Sequence, residues 1–258
     1  MSFISNRNNQ KHFWDVVRGQ IPGQTAVFIE GRNENAGSSV EGLWTASVPF
    51  TWHNTSSILN VVSDNINDNL IGTGARTIFI IGLDIDFNII SETINLNGTT
   101  NVLTTNEYLR INSVDVIEVG TYGSSNLGNI TITRTDNSDI MAHIGVLALT
   151  SGVGRSAMVK YTIPKGKIGT FIYGYGNVYG SKLASMSANI RPNKNLNGPF
   201  FSSSSRLAFK GLEQNISIPI ESGSLFQEKT DIWIDCLSEV VGTVEITAIL
   251  QLILIDNK

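Results

Sequence analysis

From residue 58 onward the chain is a succession of short runs rich in Ile, Val and Thr. SILNVVSD, TIFIIGLD, IISETINL, LRINSVDVIEVG, NITITRT and IMAHIGVL follow one another, each closed by Gly, Asn, Asp or Ser. β-Branched side chains fit a pleated, half-buried surface, and turn residues recurring at this spacing predict an antiparallel sandwich or barrel. In NITITRT, Ile130 and Ile132 face one way and Thr131 and Thr133 the other, as one buried face requires. TIFIIGLD is continuously apolar, the pattern of a strand covered on both faces. No helical stretch of 10–15 residues separates the runs, which disfavours parallel βαβ units.

MVKYTIPKGKIGTFIYGYGNVYG (158–180) opens a second series, with Pro164-Lys165-Gly166-Lys167 as a tight turn. SMSANIRP, SSRLAFKGL, NISIPIES and a long C-terminal pair joined by EVVGT follow, and the last run is apolar enough for the middle of a sheet. The Gly/Ser-rich LTSGVGRSA marks a boundary near residue 155. The expectation is an all-β chain of two antiparallel β-sandwiches in tandem, jelly-roll or Ig-like, over 54–155 and 156–258. One larger sandwich is the alternative. Residues 1–53 mix short apolar runs with breakers and predict an extended N-terminal arm. Its single short helix lies in QKHFWDVVRG, where Phe13, Val16 and Val17 fall at helical spacing before Gly19.

Hydrophobic residues make up 41% and charged ones 16% of the 258, with a net charge of -4. Scattered Lys and Arg at that balance do not form a phosphate-binding surface, so nucleic acid is not an expected partner. No run of about 18 apolar residues is present, and no membrane partner is expected. The N-terminus lacks the apolar core of a secretory signal, which points to synthesis in a cytoplasm. Cys236 is the one cysteine, so no intrachain disulfide forms, and its strand-like surroundings suit a buried inert thiol.

The candidate sites are few. Asp84, Asp86 and Asn88 in LDIDFN begin like a calcium loop, but the sixth position is Ile89 and the twelfth Asn95, where Gly and Glu are required. A looser oxygen site with Glu92 competes with the tip of a hairpin, and the hairpin is the expectation. His12, His53 and His143 show no metal-binding spacing. G-x-S-x-G is absent, and GTGARTIFI runs into a strand instead of the helix a phosphate cradle needs. No cofactor and no enzymatic activity are expected. Tyr173, Tyr175 and Tyr179 in YGYGNVYG line one side of a strand and are candidates for glycan stacking, although tyrosines on a sheet face are commonplace. Phe13, Trp14, Trp44 and Trp52 are large aromatics in a loop-like segment and need burial, on the chain's own sandwich or on a neighbouring subunit. They are the candidate assembly contacts.

Several segments together resemble a widespread family of tailed-phage and phage-like particle proteins. They are GTGARTIFIIGLDIDFNIISETINLNGTT (72–100), TTNEYLRINSV (104–114), MVKYTIPKGKIGTFI (158–172), FQEKTDIWIDC (226–236) and the closing LILIDN (252–257). WTASVPFTW (44–52) is similar to a tryptophan-bearing segment ahead of the first domain. The resemblance spans most of residues 26–257 and implies a virion structural protein with no reaction attached to it. Asp84, Glu228, Lys229 and Asp231 belong to the shared pattern. The expected function is therefore a minor capsid, decoration or shell-building component in the virion, made in the host cytoplasm. Its expected partners are copies of itself and other virion proteins, such as the major capsid or tail proteins. Two other readings are a tail- or fibre-associated receptor or glycan-binding module, and a polysaccharide hydrolase with paired carboxylates.

Overall fold

The computed structural model describes residues 11–121, 125–146, 153–179, 183–192, 206–210, 216–218 and 225–257. They form one short helix and seventeen β-strands in four sheets, all paired antiparallel. The chain is all-β, as its period-2 patterning and turn spacing predict.

In the first half, β3 (Leu59–Ser63), β6 (Val102–Leu103), β8 (Ile130–Arg134) and β9 (Ile140–Ile144) form a sheet ordered β6-β3-β8-β9. β4 (Ala75–Leu83), β5 (Ile89–Asn95) and β7 (Arg110–Val119) form a second, ordered β5-β4-β7. Leu59, Val61, Ile130 and Ile132 from one sheet and Ile78, Ile80, Ile111 and Val114 from the other make a common core. That core is closed at one end by Trp44, Phe50, Met158 and Trp233.

The remaining strands form the second pair of sheets. β1 (Gln24–Ala36), β17 (Val244–Asp256), β11 (Lys167–Tyr179) and β14 (Ile216–Ile218) run in that order, with β15 (Leu225–Phe226) also on β11. β10 (Lys160–Thr162), β16 (Asp231–Ser238), β12 (Leu183–Arg191) and β13 (Arg206–Lys210) form the facing sheet, and β2 (Glu41–Gly42) pairs with β16. Ile29, Val178, Ile246, Leu250 and Leu252 pack there against Val159, Met186, Ile232, Ile234 and Cys236.

The expected N-terminal arm of residues 1–53 needs correction. Residues 24–36 are the edge strand β1, paired with β17 from Gln24 opposite Ile255 to Ala36 opposite Val244. The cause is amphipathic alternation: Val27 and Ile29 enter the core while Phe28 and Glu30 face outward. Gly31 is fixed by space, since a Cβ there would lie 2.4 Å from the Leu43 carbonyl oxygen. The helix α1 (residues 11–17) lies on the outer face of the same sheet, seating Phe13 and Val16 against Ile253. This explains the unbroken run Leu252-Ile253-Leu254. Leu252 and Leu254 face the core and Ile253 faces the helix, so the strand is covered on both sides. No helix among the described residues is long and apolar enough to cross a membrane.

The turn at Pro164–Lys167 forms as expected, with Gly166 at φ +75°. Leu252→Ala should lower unfolding stability by about 2–5 kcal/mol, read by urea denaturation, because Leu252 is fully buried. Gly31→Ala should also destabilise, because the obstructing Leu43 oxygen belongs to backbone and cannot swing aside.

Candidate functional site: the buried junction between the two sandwiches

Asp231 opens β16 and has no exposed surface. Two guanidinium groups and a hydroxyl reach it from three other strands. Arg110, at the start of β7 in the first sandwich, donates from Nε to Oδ1 at 3.0 Å and from Nη2 to Oδ2 at 3.2 Å. Arg191, at the end of β12, donates from Nε to Oδ2 at 3.0 Å. Thr162, at the end of β10, donates from Oγ1 to Oδ1 at 2.6 Å. A planar fork on a carboxylate fixes direction as well as distance, so the Arg110 pair sets the angle at which the sandwiches meet. The Arg110 Nη1 also donates to the His53 carbonyl at 2.6 Å, which fastens the linker ahead of β3.

Aromatic rings roof this cluster. The Trp52 ring lies 5.0 Å from Cζ of both Arg110 and Arg191, and 5.0 Å from the Trp233 ring. Lys160 sits under the same roof, its Nζ 5.7, 5.4 and 5.7 Å from the rings of Trp44, Phe50 and Trp52. Its ammonium donates to the Met141 carbonyl at 3.1 Å, again across the two sandwiches. Burial pushes the Lys160 pKa down to about 7; Arg110 acts in the same direction and Asp231 against it. Two guanidinium groups thus share one buried carboxylate, and Lys160, beside them under the roof, is the basic group that can shed its charge.

Several of the segments singled out in the sequence meet here. LRIN supplies Arg110, YTIP supplies Thr162, EKTD supplies Asp231 and WTASVPFTW supplies Trp52. GLDIDFN supplies Phe87, held at φ +65° and buried with Leu83 and Leu109. Arg110 and Lys229 both approach its ring, with Cζ at 5.9 Å and Nζ at 5.5 Å from the ring centre. Glu228 accepts the Gly166 N–H at 2.6 Å, and Lys229 N–H donates to the Ile163 carbonyl at 2.7 Å, which lock the Pro164–Lys167 turn onto this corner.

Asp84, Asp86 and Asn88 form the tip of the β4–β5 hairpin. Asp84 Oδ1 accepts the N–H groups of Asp86 and Asn88, both at 2.9 Å, and Oδ2 accepts the Asn88 side-chain amide at 2.9 Å. Both oxygens of Asp84 are therefore engaged in shaping the turn that delivers Phe87. Glu92 is turned elsewhere, accepting the N–H groups of Thr105 and Asn106 at 2.7 and 3.0 Å. Among the described residues no three His, Cys, Asp or Glu side chains form a group that could hold a metal ion.

The four aromatic assembly candidates divide. Phe13, Trp44 and Trp52 spend their surface on the chain itself, so they do not reach out as an arm would; Trp14 is 53% exposed. Tyr173, Tyr175 and Tyr179 lie along the outward side of β11, with Tyr173 and Tyr179 exposed. His12 pairs with Gln24 and His143 with Thr45, while His53 sits 3.5 Å from Asp139. Cys236 is buried, and burial foremost raises its thiol pKa to about 12. Arg110, Arg191, Lys160 and Thr162 escaped the sequence reading. One signal was present: a lysine within the apolar MVKYT run has to be either exposed or paired.

No family model matches the chain, and no curated protein matches it. Among solved structures it is similar to the infectious bursal disease virus VP2 subviral particle at 10% identity and a TM-score of 0.22, covering 95% of this chain and 77% of that one. A structure of the infectious bursal disease virus Gx strain gives 10% identity and a TM-score of 0.17, covering 91% and 75%. Similarity at that level assigns neither fold nor function.

Asp231→Ala leaves two buried guanidinium groups without their carboxylate and should cost about 3–5 kcal/mol in urea denaturation. The Lys160 effect has a definite sign. Between pH 7 and its unfolded value of 10.5, the unfolded chain binds the proton that the folded chain has released. Stability from this group should therefore rise with pH across that window. Lys160→Met should flatten that slope, measured by denaturation at pH 6 to 10.

Proposed function

We propose that the chain is a structural protein of a phage particle, a minor capsid, decoration or shell-building component that works by homo-oligomeric assembly. The observation that carries this reading is where the shared motif residues act. Asp84 shapes a turn, Glu228 and Lys229 anchor another, and Arg110, Thr162 and Asp231 join two sandwiches into one body. Motif residues used in this way specify a shape, and a fixed shape is what a repeating shell requires of its subunit. In this reading the partners are further copies of the chain and other virion proteins, such as the major capsid or tail proteins.

A second reading is favoured by the outer face of β11. Tyr173, Tyr175 and Tyr179 share one side of a strand, a layout suited to stacking on sugar rings. In that case the chain is a receptor- or glycan-binding module of a tail or fibre, and Tyr175→Ala should abolish binding on a glycan array.

Quantitative mass spectrometry of purified particles separates the readings. Hundreds of copies per particle support the shell component. A dozen or fewer favour the tail module, and absence from particles overturns both.

A further inference from the structure

The outer edge of β1 is unlike the edge of β7. The β7 edge is closed by residues 154–156, through Val116 N–H to Gly154 and Ser156 N–H to Val114. Among the described residues β1 is closed only at its ends. Gln24 N–H bonds the Ile21 carbonyl, and Arg32 N–H bonds the Ala157 carbonyl. Between them the even-numbered residues Ala26, Phe28 and Glu30 turn N–H and C=O away from β17, and those groups have no backbone partner among the described residues. No proline, lysine or bulge blunts this stretch, since the only irregularity of β1 falls between Asn33 and Ala36. A groove lined by Phe28, Glu30, Asn112, Asp115, Arg155 and Ser156 opens beside it.

We propose that this edge pairs with the same edge of a second copy of the chain, antiparallel about a two-fold axis at Phe28. The occupant follows from the spacing of the free groups. In this register Phe28 faces Phe28 and Ala26 faces Glu30, so every unpaired N–H and C=O of the window finds its partner. Centring on Ala26 would set Phe28 opposite Gln24, whose N–H is already used, and centring on Glu30 would oppose two carboxylates. The chosen register puts Glu30 against a small neutral residue and leaves its ion pair with Arg155, at 3.3 Å, in place. It also brings exposed apolar surface together. Phe28 is 54% exposed, and its ring packs edge-on against Phe13, 5.3 Å away, beside the exposed Trp14 of α1. Two copies of that cluster meet across the axis, and the sheet continues from one copy into the next. The pairing extends the assembly reading given above but is read independently of any particle.

Sedimentation of the full chain over a range of concentrations tests it. The expected species is twice 28.1 kDa. Phe28→Lys, which opposes two ammonium groups on the axis, should leave a monomer. Ala26→Pro should do the same, because it removes an outward N–H at a position where an edge strand tolerates proline. Phe28→Cys should form a disulfide-linked dimer under mild oxidation, as paired Cα atoms in this register lie about 5.5 Å apart. Amide exchange supplies a reading that needs no variant: Ala26, Phe28 and Glu30 should be protected at concentrations where the dimer forms and exchange freely on dilution. A wild-type monomer throughout overturns the proposal. So does a dimer that survives both substitutions, or one in which those three amides stay unprotected. A dimer that forms in a chain absent from particles would fail the virion reading and leave this one standing.

Discussion

A carboxylate with no exposed surface persists only where several donors replace its water, and Asp231 meets that condition with donors from three separate strands. Arg110 belongs to one sandwich and Thr162 and Arg191 to the other, so the demand of a single buried charge ties the halves together. The aromatic roof of Trp44, Phe50, Trp52 and Trp233 excludes water and strengthens each of these interactions. It also makes the cluster intolerant of loss, since an unpaired guanidinium under that roof has no water to turn to. Lys160 relieves the remaining excess of positive charge by releasing its proton more readily than an exposed lysine does.

The other organising constraint is β17. Its neighbours are β1 from the start of the chain and β11 from the middle, so the sheet closes only when the C-terminal strand is in place. Pairings of such sequence separation make folding slow in general, because the loop entropy is lost before the contacts form. The same strand carries α1 on its outer face, which leaves the remainder of that face, from Phe28 across to Tyr173, open to solvent. The exposed edge and the exposed face therefore lie side by side.

Strand alternation in NITITRT and the mid-sheet place of the apolar closing run were legible because each reflects a local rule of burial, whereas TIFIIGLD, expected to be covered on both faces, alternates and leaves Phe79 and Ile81 part-exposed. The hairpin tip at Asp84–Asn88 was legible for a similar reason, since Asp and Asn satisfy the backbone within a few residues. Over residues 24–36 the expected arm is a sheet strand. Gly, Asn and Ser breakers between short apolar runs look alike whether a segment stands free or completes a distant sheet, and the partner of β1 is more than two hundred residues away. Trp44 and Trp52 need burial, but nothing local says against which surface.

By itself, then, the sequence determined the all-β class, the turn positions, the buried thiol and the faces of most strands, because these depend on periodicity and on neighbours a few residues apart. Only the tertiary structure decided that Arg110, Lys160, Thr162, Arg191 and Asp231 share one buried site, and that β1 closes a sheet while leaving its own edge open. Burial of a charge is a property of what surrounds it. The surroundings of Asp231 come from three other strands that the chain brings together only when both sandwiches have formed.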